Sequence, residues 1–174
     1  MIDLLFTRKM AADLKLEPNK RLNPSDPDPK YSWLGHLLTV NRHKFYIFIN
    51  NASLYSVLLE KKRVKNPLQD FKARVGLWMK KLNVNPEKAE EYLKHFEHIN
   101  IYRASDKRIL GHLNNIRLYA EDDINNAFFL KELPPDVALE NCEIKINDVP
   151  HERLKTKFPD PEFERMINGD GYVV

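Results

Sequence analysis

Ten Lys or Arg stand between residues 42 and 81: Arg42, Lys44, Lys61, Lys62, Arg63, Lys65, Lys72, Arg74, Lys80 and Lys81. Two acids, Glu60 and Asp70, oppose them, so the stretch carries +8 in a chain whose total is +3. Interspersed charges mostly cancel, whereas a one-signed surface attracts phosphates or acidic partners. The chemistry open to these side chains is ion pairing with a polyanion, dependent on salt and blind to sequence. It requires that the cations converge on one face. The plainer account is a solvated face that only maintains solubility.

Local spacing gives three groupings. In a helix opened by Asn66-Pro67, residues Lys72, Gly76 and Lys80 recur every four positions and line one flank. Glycine inside a helix costs about 1 kcal/mol relative to alanine, which points to a close approach at Gly76, most simply by a neighbouring element. Lys61, Lys62, Arg63 and Lys65 form a loop that could lie beside that flank. The second grouping is the turn Asn41-Arg42-His43-Lys44, presented as a phosphate-reading β-ribbon would present it. The third is Lys107 with Arg108 at the start of a later helix, where cations are unfavourable unless an anion is close.

No pattern announces a reaction. A nucleophile elbow, a phosphate-cradling glycine loop and a His-Glu-x-x-His helix are all missing. His95 and His98 are three apart near a helix end, but no third ligand is evident, so neither a metal nor a cofactor is expected. Glu121, Asp122 and Asp123 read as a polar loop. Catalysis would have to come from residues such as His36 and His112 meeting acids only in three dimensions. The single cysteine, Cys142, excludes an internal disulfide and reads as a small apolar residue, which suits a reducing cytoplasm. The start of the chain shows no secretory pattern, and no stretch reaches the 18 or so apolar residues of a membrane helix, so no membrane partner is expected.

The elements that must position these residues follow from hydrophobic period. A length of 174 residues fits one domain, and 43% hydrophobic residues supply a core. Ile2 to Phe6 reads as a strand, with Thr7 capping a helix that ends near Leu16. Residues 18–30 hold four prolines and form a surface loop. Trp33 to Val40, Phe45 to Ile49 and Leu54 to Leu59 form an antiparallel meander, the middle run being apolar enough to sit at the centre, covered on both faces. Leu68, Phe71, Val75, Trp78 and Leu82 are the inner stripe of the next helix. Asn85-Pro86 opens another, Ile99 to Arg103 is a strand, and Ile109, Leu113, Ile116 and Ala120 face inward from a third helix. Val137 to Ile146 can be read as helix or strand. A last short helix starts at Asp160-Pro161, and residues 169–174 form a frayed tail. The expected class is α+β, a mainly antiparallel sheet with helices packed against it.

The segment Asp106-Lys107-Arg108-Ile109-Leu110-Gly111-His112-Leu113-Asn114 resembles one found in a family of small bacterial proteins of unknown function. Further pieces agree in order: Leu5-Phe-Thr-Arg-Lys with Leu14, Trp33 with His36, Asn41-Arg42-His43-Lys44, Asn50, Tyr55, Ile146-Asn147-Asp148-Val149-Pro150 and Phe158-Pro159. The resemblance spans about Leu5 to Ile167. It implies no activity, cofactor or substrate, and it leaves Trp33, His36, Asn41, Gly111, Asn114, Asn147 and Pro150 as motif residues without an assigned role. The chain departs from the pattern in its longer Pro-rich loop and in His43, where Arg or Lys is expected; the second change makes the turn's charge depend on pH. Gly111 suggests close packing, and Asn114 a bond to a strand edge or turn.

The expected function is non-catalytic binding of a polyanion, nucleic acid first, through the basic region and through Lys107 and Arg108. Two alternatives stand beside it: a phosphate-substrate hydrolase or nuclease, and an interaction module whose basic face meets an acidic protein.

Overall fold

The computed structural model describes residues 1–17, 28–105, 107–131 and 133–169. Most of the Pro-rich loop, Asp106 of the family-like segment and nearly all of the expected tail lie outside the described residues. Five strands, β1 (Ile2–Phe6), β2 (Ser32–Val40), β3 (His43–Asn50), β4 (Ser56–Glu60) and β5 (Ile99–Arg103), bond in the order β4-β3-β2-β1-β5.

The sheet is mixed, which corrects the expectation of a mainly antiparallel one. The meander β2-β3-β4 is antiparallel as expected, but β1 pairs parallel with both β2 and β5. A hairpin reveals itself through its short turn, whereas parallel partners need a long crossover and leave no local sign of their pairing. Four strands therefore run one way, and β3 alone opposes them. Their carboxyl ends share one end of the sheet with the β2-β3 turn.

Six α-helices cover both faces. α1 (Arg8–Asp13), α2 (Pro67–Lys81), α3 (Pro86–Lys94) and α6 (Pro159–Asn168) lie on one side. There Met10, Phe71, Trp78, Phe96 and Phe163 meet Leu4, Phe6, Trp33, Leu37, Phe48 and Val57 of the sheet. On the other side α4 (Lys107–Ile124) and α5 (Pro135–Asn147) bring Leu113, Ile116, Ala120, Leu139, Cys142 and Ile146 against Leu5, Leu34, Leu38, Phe45, Ile47 and Leu58. β3 is buried on both faces as its run of apolar residues implies, but β2 holds the centre.

Several starts and stops follow from side-chain chemistry. Thr7, Asn66 and Asn85 accept from backbone N–H groups in the first turns of α1, α2 and α3, with Pro67 and Pro86 at the first positions of the latter two. α1 stops at Asp13, short of Leu16, and the chain turns away with Lys15 at φ 55°. The β2-β3 turn is the two residues Asn41 and Arg42, both at positive φ (47° and 69°), inside the closing pair Val40 and His43. That is the twist-matched hairpin geometry Asn favours. Beyond Ile124 the backbone widens into a π-helical segment, Asn125–Leu130. The ambiguous segment 137–146 is helical, within α5.

Candidate functional site

The β2-β3 turn and the short 3₁₀ turn Lys61–Arg63 that follows β4 are neighbours, because Phe45 pairs with Glu60 across β3 and β4. Between them lies an open depression of about 420 Å³ lined by Arg42, His43, Lys44, Glu60, Lys61 and Lys62. It sits at the end of the sheet where β2 and β4 finish, around the hairpin tip and beside the antiparallel β3-β4 pair. Four of the ten basic residues of the 42–81 stretch converge here.

Asp13, at the end of α1, decides how much of that charge is available. Its carboxylate, 8% exposed, pairs with Lys61 at 2.7 Å and Lys44 at 3.1 Å and accepts from the Tyr46 hydroxyl at 2.8 Å. Burial alone would raise its pKa, but the hydrogen bonds from Lys61, Tyr46 and Lys44 and the charge of Lys61 outweigh that and hold it at about 2. Lys44 and Lys61 are thus oriented and partly neutralised. Arg42 and Lys62 are exposed and make no ion pair or side-chain hydrogen bond among the described residues. His43, 45% exposed, stands edge-on to Phe129 of the π-helical segment at 5.0 Å. Asn41 donates to Asn125 at 2.7 Å, so the same segment braces both sides of the turn.

The other cations go elsewhere. Arg63 pairs with Asp136 at 2.7 Å, and Arg74 grips Glu143 of α5 with two guanidinium nitrogens. Both arginines line a smaller depression of about 220 Å³ with Asp70, Asp136 and Glu60, so acids outnumber cations there. Lys81 pairs with Glu140 on α5. Lys72 and Lys80 take the opposite flank of α2, the one Gly76 turns toward α3: a Cβ there would lie 3.3 Å from Leu93. The close approach expected at Gly76 is this helix contact. Lys65 is exposed on the loop before α2, and Lys107 and Arg108 are exposed at the start of α4, neither lining the depression.

The motif residues sort mostly into the framework. Trp33 is fully buried and donates to the Tyr92 hydroxyl at 3.0 Å. His36 pairs with the Thr7 hydroxyl at 2.9 Å; burial, then Lys9 and Arg117, push its pKa down to about 4, so its ring is neutral near pH 7. Gly111, where close packing is the expectation, is exposed, and a Cβ there would meet nothing within 4 Å. Asn114 and Pro150 are exposed. Glu121, Asp122 and Asp123 belong to α4 rather than to a loop, and Glu121 and Asp123 pair with Arg117 and Lys145. Among the described residues no three His, Cys, Asp or Glu gather into a metal-sized group.

Asn147 has a distinct task. Its amide accepts from Ser56 N–H at 2.7 Å and donates to Ser56 C=O at 2.8 Å, and Glu143, one turn earlier, accepts from Leu58 N–H at 2.8 Å. The two side chains stand where a sixth strand would bond to the edge of β4. Glu143 also accepts from Trp78 Nε1 at 2.9 Å. Asp13, Glu60 and Glu143 are absent from the candidates drawn from sequence, and Arg74 enters there only as one of ten cations. A signal existed for one pair: Glu143 and Asn147, four apart, fall on the apolar stripe of Leu139, Cys142 and Ile146 once that segment is taken as a helix.

The chain has no match among curated proteins. Residues 4–162 match a family described as a domain of unknown function, DUF6933. With nearly the whole described fold inside that match, the chain belongs to the DUF6933 family.

Proposed function

We propose that the protein binds a polyanion, nucleic acid in particular, at the depression between the β2-β3 turn and the turn after β4. The observation that carries the reading is the pair Arg42 and Lys62, exposed and unpaired among the described residues, brought to one open concavity beside Lys44 and Lys61. Two to four cations neutralising phosphates predict a slope of log K against log salt of roughly −1.5 to −3 for a single strand. Lys72, Lys80, Lys107 and Arg108 add only to the general positive field.

Fluorescence anisotropy of labelled single- and double-stranded oligonucleotides, at low and physiological salt, tests it. Arg42→Glu with Lys62→Glu is expected to weaken binding at least tenfold and flatten the salt slope, while Lys72→Glu with Lys80→Glu changes affinity less than threefold. Absence of binding at low salt, or a larger loss from the α2 pair, contradicts the assignment. Binding to an acidic protein but to no oligonucleotide would transfer the same depression to the interaction-module alternative.

A further inference from the structure

Glu60 is out of place in a depression built only for anions. Its side chain is 7% exposed, Oε2 is buried without a hydrogen-bond partner, and Oε1 lies 4.0 Å from His43 Nδ1. A carboxylate there repels phosphate, so it weakens a purely anionic ligand. An ionised carboxylate only accepts hydrogen bonds, so the ligand group it suits must be a donor. Within nucleic acid, the base amino groups of cytosine, adenine and guanine meet that demand, and a carboxylate accepting from cytosine N4 is an established pairing. In a duplex each amino group gives one N–H to its base pair and turns the other into a groove, whereas in a single strand both are free. A single strand can turn one base out and lay it on an exposed ring, histidine included. His43 offers such a ring beside Glu60, held by Phe129.

We infer that the depression reads one unpaired nucleotide of a single strand: the flanking phosphates on Arg42 and Lys62, the base against His43, and the base's amino group on Glu60. This rests on the reading that the depression binds nucleic acid.

The test compares oligo(dC), oligo(dT) and an abasic strand of equal length by anisotropy, with the wild type, Glu60→Gln and His43→Ala. Cytosine and thymine are both pyrimidines and differ at this edge, where thymine presents a carbonyl in place of the amino group. The wild type is expected to bind oligo(dC) about tenfold more tightly than oligo(dT) or the abasic strand. Glu60→Gln should lose that preference and bind the abasic strand more tightly than the wild type does, a gain that a misfolded variant could not show. His43→Ala, at an exposed turn position, should weaken oligo(dC) and leave the abasic strand unchanged. Equal wild-type affinity for all three strands, or a preference that survives Glu60→Gln, overturns base readout while the polyanion reading stands. No binding to any strand overturns both.

Discussion

Asp13 withholds positive charge from the depression, since two of its four cations are tied to this one carboxylate. Replacing it with asparagine keeps the shape and removes the charge. Asp13→Asn is therefore expected to raise oligonucleotide affinity severalfold at low salt; an unchanged or lower affinity would contradict the role given to Lys44 and Lys61. The same change has a signature in stability. The folded-state pKa of Asp13, about 2, lies below its ordinary 3.8, so its stabilising effect is present above pH 4 and is lost as pH falls through about 2. Both lysines are more than a third exposed, which limits the contribution to on the order of 1 kcal/mol. Urea denaturation from pH 2 to 6 should show a shallower acid limb for the variant, and identical limbs would show that the ion pairs add nothing. None of this was visible in sequence, because Asp13 ends a short helix 31 residues from Lys44 and 48 from Lys61. Composition marks cations, but the acid that neutralises them is found only through the fold.

Edge strands invite unwanted pairing, and α5 deals with β4 by side chains rather than by another strand. Asn147 supplies both a donor and an acceptor to Ser56, and Glu143 collects Leu58 N–H, Trp78 Nε1 and the Arg74 guanidinium in one buried carboxylate. Asn147→Ala leaves both Ser56 groups unsatisfied and is expected to lower unfolding free energy by about 2–4 kcal/mol. Glu143→Ala leaves the part-buried Arg74 guanidinium without its carboxylate and should cost about 3 kcal/mol. Urea denaturation measures both, and a loss below 1 kcal/mol for Asn147→Ala would show that the edge finds other partners. This explains a motif residue whose part is invisible in sequence: spacing identifies a helical stripe only after the segment is known to be helical, and Val137 to Ile146 carries β-branched and helix-favouring residues together. Where capping chemistry was explicit, as at Asn66-Pro67 and Asn85-Pro86, the helix starts were legible. The same holds for the Asn41 turn, whose positive φ values follow from residue type. Gly111 shows the opposite limit, since a glycine in a helix signals either a close neighbour or none, and here it is none.

Across the whole molecule, the +8 stretch does not form one basic face. β4 hands Lys61 and Lys62 to the hairpin end, Arg63 and Arg74 turn to acids on α5, and Lys72 and Lys80 follow Gly76 toward α3. A charge count along the chain cannot foresee such a division, because it depends on which flank of α2 each residue takes and on which helices lie beside it. The sheet presents the same boundary. Strands and the meander were readable from apolar runs and short polar turns, whereas the parallel pairing of β1 with β2 and β5 depends on contacts far apart in sequence. That pairing aligns the carboxyl ends of β1, β2 and β5, and the meander brings the end of β4 and the hairpin tip, where the candidate site lies, to the same end of the sheet. The most direct test of that placement is a titration of the ¹⁵N-labelled protein with a cytosine-rich single strand, followed by backbone amide chemical shifts. The prediction is that the largest changes fall on Asn41 to Lys44 and Glu60 to Lys62. Shifts concentrated on α2 around Lys72 and Lys80, or at the start of α4, would contradict it.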